Sequence, residues 1–550
     1  MPSPTGSSLA ASAPSTGDLA VDALLAGNRW RGAVTYSFPE TDSAFSTAIY
    51  DYGPVSGAGE PWTGFRPLGA AERAAFAQAM AAWSVVANIS VTPVADTRTA
   101  VGDIRVAYSG QVTGNVAGWA YEPGTPSAAG DIWLNLASLG RVPWTPGGAA
   151  FKSVLHEIGH ALGLKHPFEE APVLPAAQDS LANTVMSYSA LPGVPASTFN
   201  FYPTTPMVQD IAALQALYGP NTGWATGADT YAFDDSAFWF QTLWDAGGND
   251  MLRYDGIAEA EIDLRDGAGS SIGRDVVARG VGTTLAMPNI WIAKGALIEN
   301  ATGGAAADTL QGNDAANRLE GRDGDDRLSG GAGVDVAVFS AAFRDYDIAR
   351  VAATGGWTVA DRERGRDGTD TLVGMERVRF ADGEFALDAG IWAAQLTSTE
   401  TLSLLGAWRG AQGGAPAALD FGAAAAEVRT TNLSAWAVGM GAQALAGNAE
   451  AAAKKVLGNF GISETTLGGA APAASFAALG EAVGMIFDAF APVRGQVVLN
   501  VANLLRGLES DSVFGAIARG FNARVNGDYA ALAPAAEMGF VSLVGLAYEA

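Results

Sequence analysis

The stretch His156-Glu157-Ile158-Gly159-His160-Ala161-Leu162-Gly163-Leu164-Lys165-His166 contains all 3 histidines of this 550-residue chain. The apolar pattern predicts a helix over residues 151–162, in which His156 and His160 project from the same face. Two neutral imidazoles at that spacing can hold one zinc ion. Glu157 follows His156 on the helix, where its carboxylate reaches a metal-bound water without binding the metal itself. The stretch therefore predicts a metal-bearing helix with a general base.

Gly163 comes directly after the predicted helix. Glycine accepts the left-handed backbone conformations that end helices, so we expect a sharp turn that brings His166 back as a third ligand. Three protein ligands plus water are typical of a catalytic zinc ion, whereas structural zinc sites have four ligands and usually contain cysteine. The chain has 0 cysteines. We therefore predict one catalytic zinc ion.

A methionine-containing segment, Asn183-Thr184-Val185-Met186-Ser187-Tyr188, lies downstream of the histidines. The long HExxHxxGxxH motif followed by such a segment resembles the metzincins, and among them the serralysins, which are secreted bacterial zinc endopeptidases. The resemblance implies that Tyr188 is both an additional zinc ligand and a catalytic residue that helps to stabilise the oxyanion. It also implies that Met186 supports the site without binding metal. Other segments that resemble serralysins are residues 35–38, 118–121 and 130–135.

Composition limits the classes of partner. Asp and Glu number 57 against 32 Lys and Arg, which gives a net charge of −25. Such a surface repels nucleic acid and anionic membranes, so we expect no nucleic-acid partner. The resemblance to zinc endopeptidases implies protein or peptide substrates. The sequence has no uninterrupted apolar run of about 18 residues, the length of a membrane span. The N-terminal segment lacks the basic start and apolar core of a Sec signal peptide.

The chain length predicts several domains. Residues 1–20 are expected to be a flexible, propeptide-like leader, and residues 21–222 an α+β metzincin catalytic domain that ends near Gly219-Pro220. Within it, helices are expected at residues 21–27, 70–86, 151–162 and 206–218, and strands at residues 34–38, 89–91, 104–107 and 131–135.

A nine-residue pattern begins at Gly303 and runs for four units. Asp308, Asn317, Asp326 and Asp335 recur at its sixth position, and the apolar residues Leu310, Leu319, Leu328 and Ala337 at its eighth. This is the glycine-rich RTX repeat of a parallel β-roll, and we assign residues 223–387 to a β-roll and β-sandwich domain. A flexible glycine and aspartate linker, the alternative, would not keep leucine in register.

Calcium is the cation that this pattern suits. Glycine-rich turns present backbone carbonyls, and aspartates add hard anionic oxygens. A loop at residues 244–250 also resembles a serralysin calcium loop, and the segment at residues 298–300 resembles the entry to the first full turn of the roll. Several structural Ca²⁺ ions are therefore expected. The predicted ligands are Asp245, Gly247, Gly248, Asp250, Glu299, Gly304, Asp308, Gly312, Asp314, Asn317, Gly321, Asp323, Asp326, Gly330, Gly331, Gly333 and Asp335.

The resemblance to serralysins covers about residues 20–387, and the alanine-rich remainder departs from that family. Residues 388–550 are predicted to form an α-helical domain, with apolar residues at helical spacing between 476 and 490. Two roles stay open for it. It is either a structural cap or secretion-associated tail, or an accessory domain that docks the chain to a substrate or a cell-surface layer.

The combined features predict a secreted hydrolase, a zinc-dependent endopeptidase in which Glu157 assists attack by zinc-bound water. Calcium would stabilise it. One alternative is the same protease, autoinhibited or targeted to a surface layer by its helical domain. Another is a calcium-binding surface protein with weak or no proteolysis. Absence of a Sec signal, absence of cysteine and calcium repeats resemble proteins exported by type I systems of Gram-negative bacteria, since low calcium inside the cell would leave the roll unfolded.

Overall fold

A computed structural model describes residues 3–4, 9–351, 355–387, 398–416, 424, 427–428, 431–467, 472–511 and 514–531. The chain forms two compact units, residues 1–313 and 314–550. Parts of the predicted leader and of the predicted helical domain, namely residues 1–2, 5–8, 388–397 and 532–550, lie outside the described residues. The predicted domain boundaries after residues 20, 222 and 387 stay predictions.

The first unit begins with a mixed α and β region. Its helices are α1 (Leu19–Asp22), α2 (Ala70–Ser84), α3 (Ala149–Ala161) and α4 (Val208–Tyr218). Its strands are β1 (Ser3–Pro4), β2 (Leu9–Ser12), β3 (Asn28–Arg31), β4 (Val34–Ser37), β5 (Val91–Pro93), β6 (Ala100–Val101), β7 (Ile104–Ser109), β8 (Gly118–Ala120), β9 (Ile132–Asn135) and β10 (Thr198–Phe199).

Five of these strands form one sheet in the order β5-β4-β7-β9-β8. The neighbours from β5 to β9 are parallel, whereas β8 is antiparallel to β9 and lies at the edge. Every residue of β4, β7 and β9 is buried, as expected for parallel strands that are covered on both faces. The two edge strands of the sheet are therefore β5 and β8, and β8 pairs with β9 only.

The predicted helices exist, and their bounds differ by a few residues. Phe76, Met80 and Trp83, which have helical spacing on α2, are buried. The helix predicted from residue 206 begins at Val208, because the Asp210 carboxylate accepts a hydrogen bond from the Met207 backbone N–H and caps the first turn. The helix predicted at residues 21–27 is wrong in extent, since α1 ends at Asp22.

The rest of the first unit is built of short strands. They are β11 (Thr230–Phe233), β12 (Gln241–Leu243), β13 (Met251–Tyr254), β14 (Glu261–Asp263), β15 (Gly269–Ser270), β16 (Val276–Gly280), β17 (Thr283–Met287), β18 (Ile290–Ile292), β19 (Asn300–Thr302) and β20 (Thr309–Gln311). β11, β13 and β19 pair in parallel, as do β14 and β20. β10 pairs with the hairpin of β16 and β17.

The second unit continues with short strands. They are β21 (Arg318–Glu320), β22 (Arg327–Ser329), β23 (Val336–Val338), β24 (Tyr346–Arg350), β25 (Trp357–Asp361), β26 (Thr369–Val373), β27 (Arg377–Phe380) and β28 (Gly383–Ala386). β21, β23 and β27 are parallel neighbours, and so are β22 and β26. The apolar residues at the eighth position of the pattern are fully buried in both units: Leu310, Leu319, Leu328 and Ala337 are each 0% exposed.

Helices follow these strands in the second unit. They are α5 (Ser398–Gln412), α6 (Leu433–Ala444), α7 (Ala449–Asn459), α8 (Glu464–Leu467), α9 (Pro472–Ala489), α10 (Arg494–Arg506) and α11 (Gly515–Ala531). The predicted helical C-terminal region is confirmed. Its apolar spacing misled in detail, because Phe487 is buried while Ile486 and Phe490 are exposed.

Among the described residues, no single helix is both long and apolar enough to cross a membrane. Two consecutive helices, Ala473–Ala489 and Ala491–Arg506, are together long and apolar enough, but their axes meet at an angle of 95°.

Candidate metal centres

The three histidines meet at one point at the end of α3. The Nε2 atoms lie 3.0 Å apart between His156 and His166, 3.1 Å between His160 and His166 and 3.2 Å between His156 and His160. Zinc bonds of about 2.0–2.1 Å at tetrahedral angles put ligand nitrogens about 3.3 Å apart. The three nitrogens therefore have a spacing that one zinc ion fits.

The other ring nitrogen of each histidine is held by the protein. Nδ1 of His156 lies 2.8 Å from the Val185 carbonyl oxygen, and Nδ1 of His160 lies 2.8 Å from the Leu164 carbonyl oxygen. A carbonyl only accepts, so both Nδ1 atoms carry the proton and both Nε2 atoms keep a lone pair for metal. Burial lowers the pKa of His156 well below its ordinary value and that of His160 to about 4, which keeps both rings neutral.

Glu157 is 4% exposed, and no described group forms a hydrogen bond with its Oε2 atom. A Cβ added to Gly118 of the edge strand β8 would lie 3.2 Å from the Glu157 carboxylate carbon. The carboxylate is thus enclosed between α3 and β8. Burial raises the pKa of Glu157 to about 8, although the Lys152 ammonium opposes the shift. A buried carboxylate oxygen with no partner is what a proton acceptor for a reacting group requires.

Met186 and Tyr188 lie beside the histidines, as the resemblance implied. Met186 is fully buried, and a Cβ on Gly159 would come within 2.5 Å of its sulfur, so the helix glycine makes room for the methionine. The Tyr188 hydroxyl lies 2.7 Å from Nε2 of His166, and the side chain is 55% exposed. Partial burial of the hydroxyl, followed by the negative charges of Glu157 and Glu169, raises the pKa of Tyr188 to about 12.

Two residues that support the site were missed from the sequence. Asp210 on α4 is fully buried and accepts hydrogen bonds from the Thr184 hydroxyl at 2.5 Å and from the Val185 and Met207 backbone N–H groups at 2.7 and 2.8 Å. The sequence did contain a signal for part of this role. An acidic residue three positions after Met207, the residue before the helix, is typical of a side chain that caps the helix N-terminus. Glu169, whose Oε2 lies 2.7 Å from Nδ1 of His166, carried no such signal.

The edge strand β8 lies beside the histidine centre. β8 is the edge strand adjacent to Glu157. Trp119 of β8 and Tyr121, the residue after the strand, both donate to the Glu60 carboxylate, at 3.2 and 2.6 Å. An exposed antiparallel edge can pair with an extended peptide through backbone hydrogen bonds. Glu60 is far from β8 in the chain and was not predicted.

A second candidate centre lies in the first unit and consists of carboxylates. Oxygen atoms of Asp229, Asp245 and Asp250 lie within 4.8 Å of one another. The Asp250 backbone N–H donates to Glu299 at 2.7 Å, and the buried Oδ2 atom of Asp250 has no partner among the described residues. Burial, then the charges of Asp245 and Glu299, raise the pKa of Asp250 to about 6. The structure brings three predicted residues together with Asp229, which the prediction lacked.

Glycines beside this cluster allow close backbone approach. A Cβ on Gly248 would lie 1.8 Å from the Gly227 carbonyl oxygen, whereas Gly247 has a φ of +134° and open space. In the repeats, the Asp308 carboxylate accepts from the Gly304 and Ala260 backbone N–H groups at 2.5 and 2.7 Å.

The predicted calcium residues of the second unit divide into three groups. Backbone N–H groups of Asn317, Asp335 and Asp326 donate to the carboxylates of Asp335, Glu376 and Asp370 at 2.8, 2.8 and 2.9 Å. The predicted ligands Asp314 and Asp323 are exposed instead. The remaining predicted ligands are glycines of the turns between strands, namely Gly321, Gly330, Gly331 and Gly333, with Gly312 at the end of the first unit. Glu376 and Asp370 were not predicted.

Comparisons with known proteins agree with this picture. The model of the peptidase M10 serralysin C-terminal family matches residues 209–404. Serralysin C of Dickeya chrysanthemi is 34% identical over 271 residues, which cover 45% of this chain and 54% of that protein. Serralysin of Photorhabdus sp. (strain Az29) is 33% identical over 275 residues, with the same two shares. Metallopeptidase AprA of Pseudomonas marginalis is 33% identical over 279 residues, 45% of this chain and 55% of that protein.

The chain spans about half the length of the curated relatives that it matches. The predicted resemblance to serralysins is confirmed, and it rests on the matched part of the chain.

Proposed function

We propose that this serralysin-like chain is a secreted, zinc-dependent endopeptidase that hydrolyses protein substrates. The observation that carries the proposal is the convergence of three Nε2 atoms within 3.2 Å, beside a buried Glu157 oxygen that has no partner among the described residues. Relatives named serralysin and metallopeptidase support the same reading. The alternative of a surface protein without proteolysis is disfavoured, since the chain has all three histidines and the glutamate of the HExxHxxGxxH motif.

His156, His160 and His166 would hold the zinc ion, with the Tyr188 hydroxyl as an additional ligand. Zinc, when bound, supplies a Lewis acid that polarises a carbonyl and makes water more acidic. Glu157 removes a proton from the attacking water and later gives it to the leaving amine. Its buried Oε2 atom, which has no partner among the described residues, is placed to accept that proton.

The other residues bind and orient. The backbone of β8 pairs with an extended substrate and holds the scissile bond beside Glu157. The Tyr188 hydroxyl, exposed at the cleft, donates a hydrogen bond to the oxyanion as charge develops on it. The Val185 and Leu164 carbonyls fix the tautomers of two histidines throughout.

Replacement of Glu157 by alanine tests the proposal. Casein hydrolysis is expected to fall by about 100-fold or more, the range of general acid–base catalysis. Zinc content, measured by atomic emission, should stay at one per chain because Glu157 is not a ligand. Glu40→Gln removes an exposed carboxylate on the same unit and should leave both values unchanged. Undiminished hydrolysis by the Glu157→Ala variant would contradict the assignment.

We extend the proposal to calcium and export. The carboxylates of Asp229, Asp245, Asp250 and Glu299 would bind one Ca²⁺, and the glycine-rich repeats would bind others. Calcium outside the cell would then fold these repeats after export by a type I system. Docking of residues 388–550 to a cell-surface layer, and autoinhibition by them, stay predictions.

A further inference from the structure

Lys165, between the end of α3 and the third histidine, is a buried cation that binds backbone. It is 9% exposed. Its Nζ donates to the carbonyl oxygens of Glu169 at 2.6 Å, Glu170 at 2.9 Å and Pro172 at 3.1 Å. An ammonium has three donors and no acceptor, so these three carbonyls satisfy its hydrogen-bonding capacity.

Residues 166–172 form the loop that Lys165 holds, which we name the clamped loop. Three of its side chains lie at the metal centre. His166 contributes Nε2, Glu169 lies 2.7 Å from Nδ1 of His166, and the Phe168 ring stacks on the His166 ring with centroids 5.2 Å apart and planes at 4°. Phe168 also contacts Tyr188, with ring centroids 5.1 Å apart. The clamped loop therefore supplies one ligand and the groups that orient it.

The three histidines differ in what holds their Nδ1 atoms. His156 and His160 are held by carbonyls of buried residues, Val185 and Leu164. His166 is held by Glu169, whose side chain is 55% exposed and belongs to a loop outside any helix or strand. The position of this third contact depends on how firmly the loop backbone is fixed. The Lys165 ammonium binds the carbonyl of Glu169 itself.

We propose that Lys165 is a positioning residue of the metal centre, which fixes the clamped loop so that Glu169 orients His166 toward the other two ligands. The inference rests on the proposed zinc site. Lys165 touches neither the metal nor the substrate and acts through Glu169. Partners that orient a metal-binding histidine typically contribute 10–100-fold to metal affinity or activity.

Zinc affinity, measured by competition with a chromogenic chelator on the full chain, tests this role. Lys165→Met keeps the length of the side chain and removes the three donors, and we expect the zinc Kd to rise by about 10-fold or more. The absorption spectrum of the cobalt-substituted variant should also change, because the ligand field senses the orientation of His166. Lys294→Met, which removes a half-exposed lysine 3.6 Å from Asp18, should change neither.

Restoration of the ammonium provides a matched control. The chain has 0 cysteines, so Lys165→Cys introduces a single thiol that can be alkylated selectively in denaturant. Alkylation with 2-bromoethylamine gives an ammonium at the lysine position, and alkylation with 1-iodopropane gives an uncharged chain of equal length. After refolding beside wild type, only the ammonium form should recover wild-type zinc affinity. Equal recovery by both forms would overturn the proposal.

A second variant keeps the inference testable if Lys165→Met fails to fold. Glu169→Leu changes a largely exposed side chain, removes the acceptor for Nδ1 of His166 and should weaken zinc binding to a similar extent. Where both single variants fold, the double variant should bind zinc no more weakly than the weaker single one, because the two residues act in series. Additive effects, or wild-type affinity in Glu169→Leu, would contradict the role.

The two failures are distinguishable. A wild-type chain that binds no zinc would overturn the proposed function. A wild-type chain that binds zinc, with a Lys165→Met variant of equal affinity and equal cobalt spectrum, would overturn only the inference about Lys165. A change confined to the melting temperature would assign Lys165 to fold stability and reject its positioning role.

Discussion

The two candidate metal centres of the first unit differ in the charge of their ligands. In the histidine centre the rings of His156 and His160 are neutral and do not repel each other, and carbonyls hold their Nδ1 atoms. The carboxylate centre joins Asp229, Asp245 and Asp250, whose charges repel when ionised. We therefore expect the first arrangement to persist without metal, whereas the second needs a cation or protons to balance its charge. The comparison predicts that one chain contains a preorganised site and a site that forms with its ion.

The largest expected effect comes from calcium removal. In chelator at pH 7.5 the melting temperature should fall by tens of degrees, because ionised carboxylates are left buried without a cation. Removal of zinc alone with 1,10-phenanthroline should abolish hydrolysis and leave circular dichroism unchanged. The measurement is thermal unfolding followed by circular dichroism in each chelator. An unchanged melting temperature without calcium would contradict the expectation that the carboxylate centre needs a cation.

Acid should partly replace calcium. Burial raises the pKa of Asp250 and of Asp335 to about 6 and that of Asp370 to about 9. Folded-state pKa values above the ordinary value of about 4 mean that the folded chain binds protons more tightly than the unfolded chain. Without calcium, this contribution to stability is full below pH about 4 and is lost as the pH rises through 6 to 9.

Thermal unfolding in chelator at pH 5.5 and pH 7.5 measures whether the stability of the calcium-free chain rises or falls with pH. The calcium-free chain should be more stable at pH 5.5, and saturating calcium should remove or reverse that difference. Greater stability at pH 7.5 in chelator would show that the carboxylates are not held together in the folded state.

A smaller effect is expected from Asp210, which tests preorganisation of the histidine centre. Asp210→Ala leaves the Thr184 hydroxyl and two backbone N–H groups without their acceptor and should cost about 3 kcal/mol of unfolding free energy. The loss should be the same with and without zinc. Asp210→Asn keeps one acceptor oxygen and should cost less. Urea denaturation measures both, and a loss seen only in the zinc-bound chain would contradict preorganisation.

The smallest effect concerns contact between the helix and the methionine. Gly159→Ala puts a methyl group within 2.5 Å of the Met186 sulfur, so the flexible thioether must shift. We expect a cost of about 1 kcal/mol in unfolding free energy and slightly weaker zinc binding. Gly458, also helical but with open space beside it, provides the matched control, and Gly458→Ala should not destabilise the chain.

Patterns of local periodicity predicted much of this molecule. The spacing of His156 and His160 follows from helix geometry, and the nine-residue repeat predicted which residues are buried, from Leu310 to Ala337. Local periodicity failed on α9, where Ile486 has helical spacing and is 44% exposed. A stripe of apolar residues marks a helix face, but burial of that face depends on what packs against it.

The side chains that can hold zinc follow from local spacing, because a helix and a glycine turn bring residues that are near in the chain to one face. The groups that support them follow from packing between distant segments. Asp210 on α4 accepts from Thr184, Glu60 accepts from Trp119 of the edge strand, and Asp229 joins the carboxylates of the loop at residues 244–250. These contacts join residues far apart in the chain, and no local pattern encodes such distances.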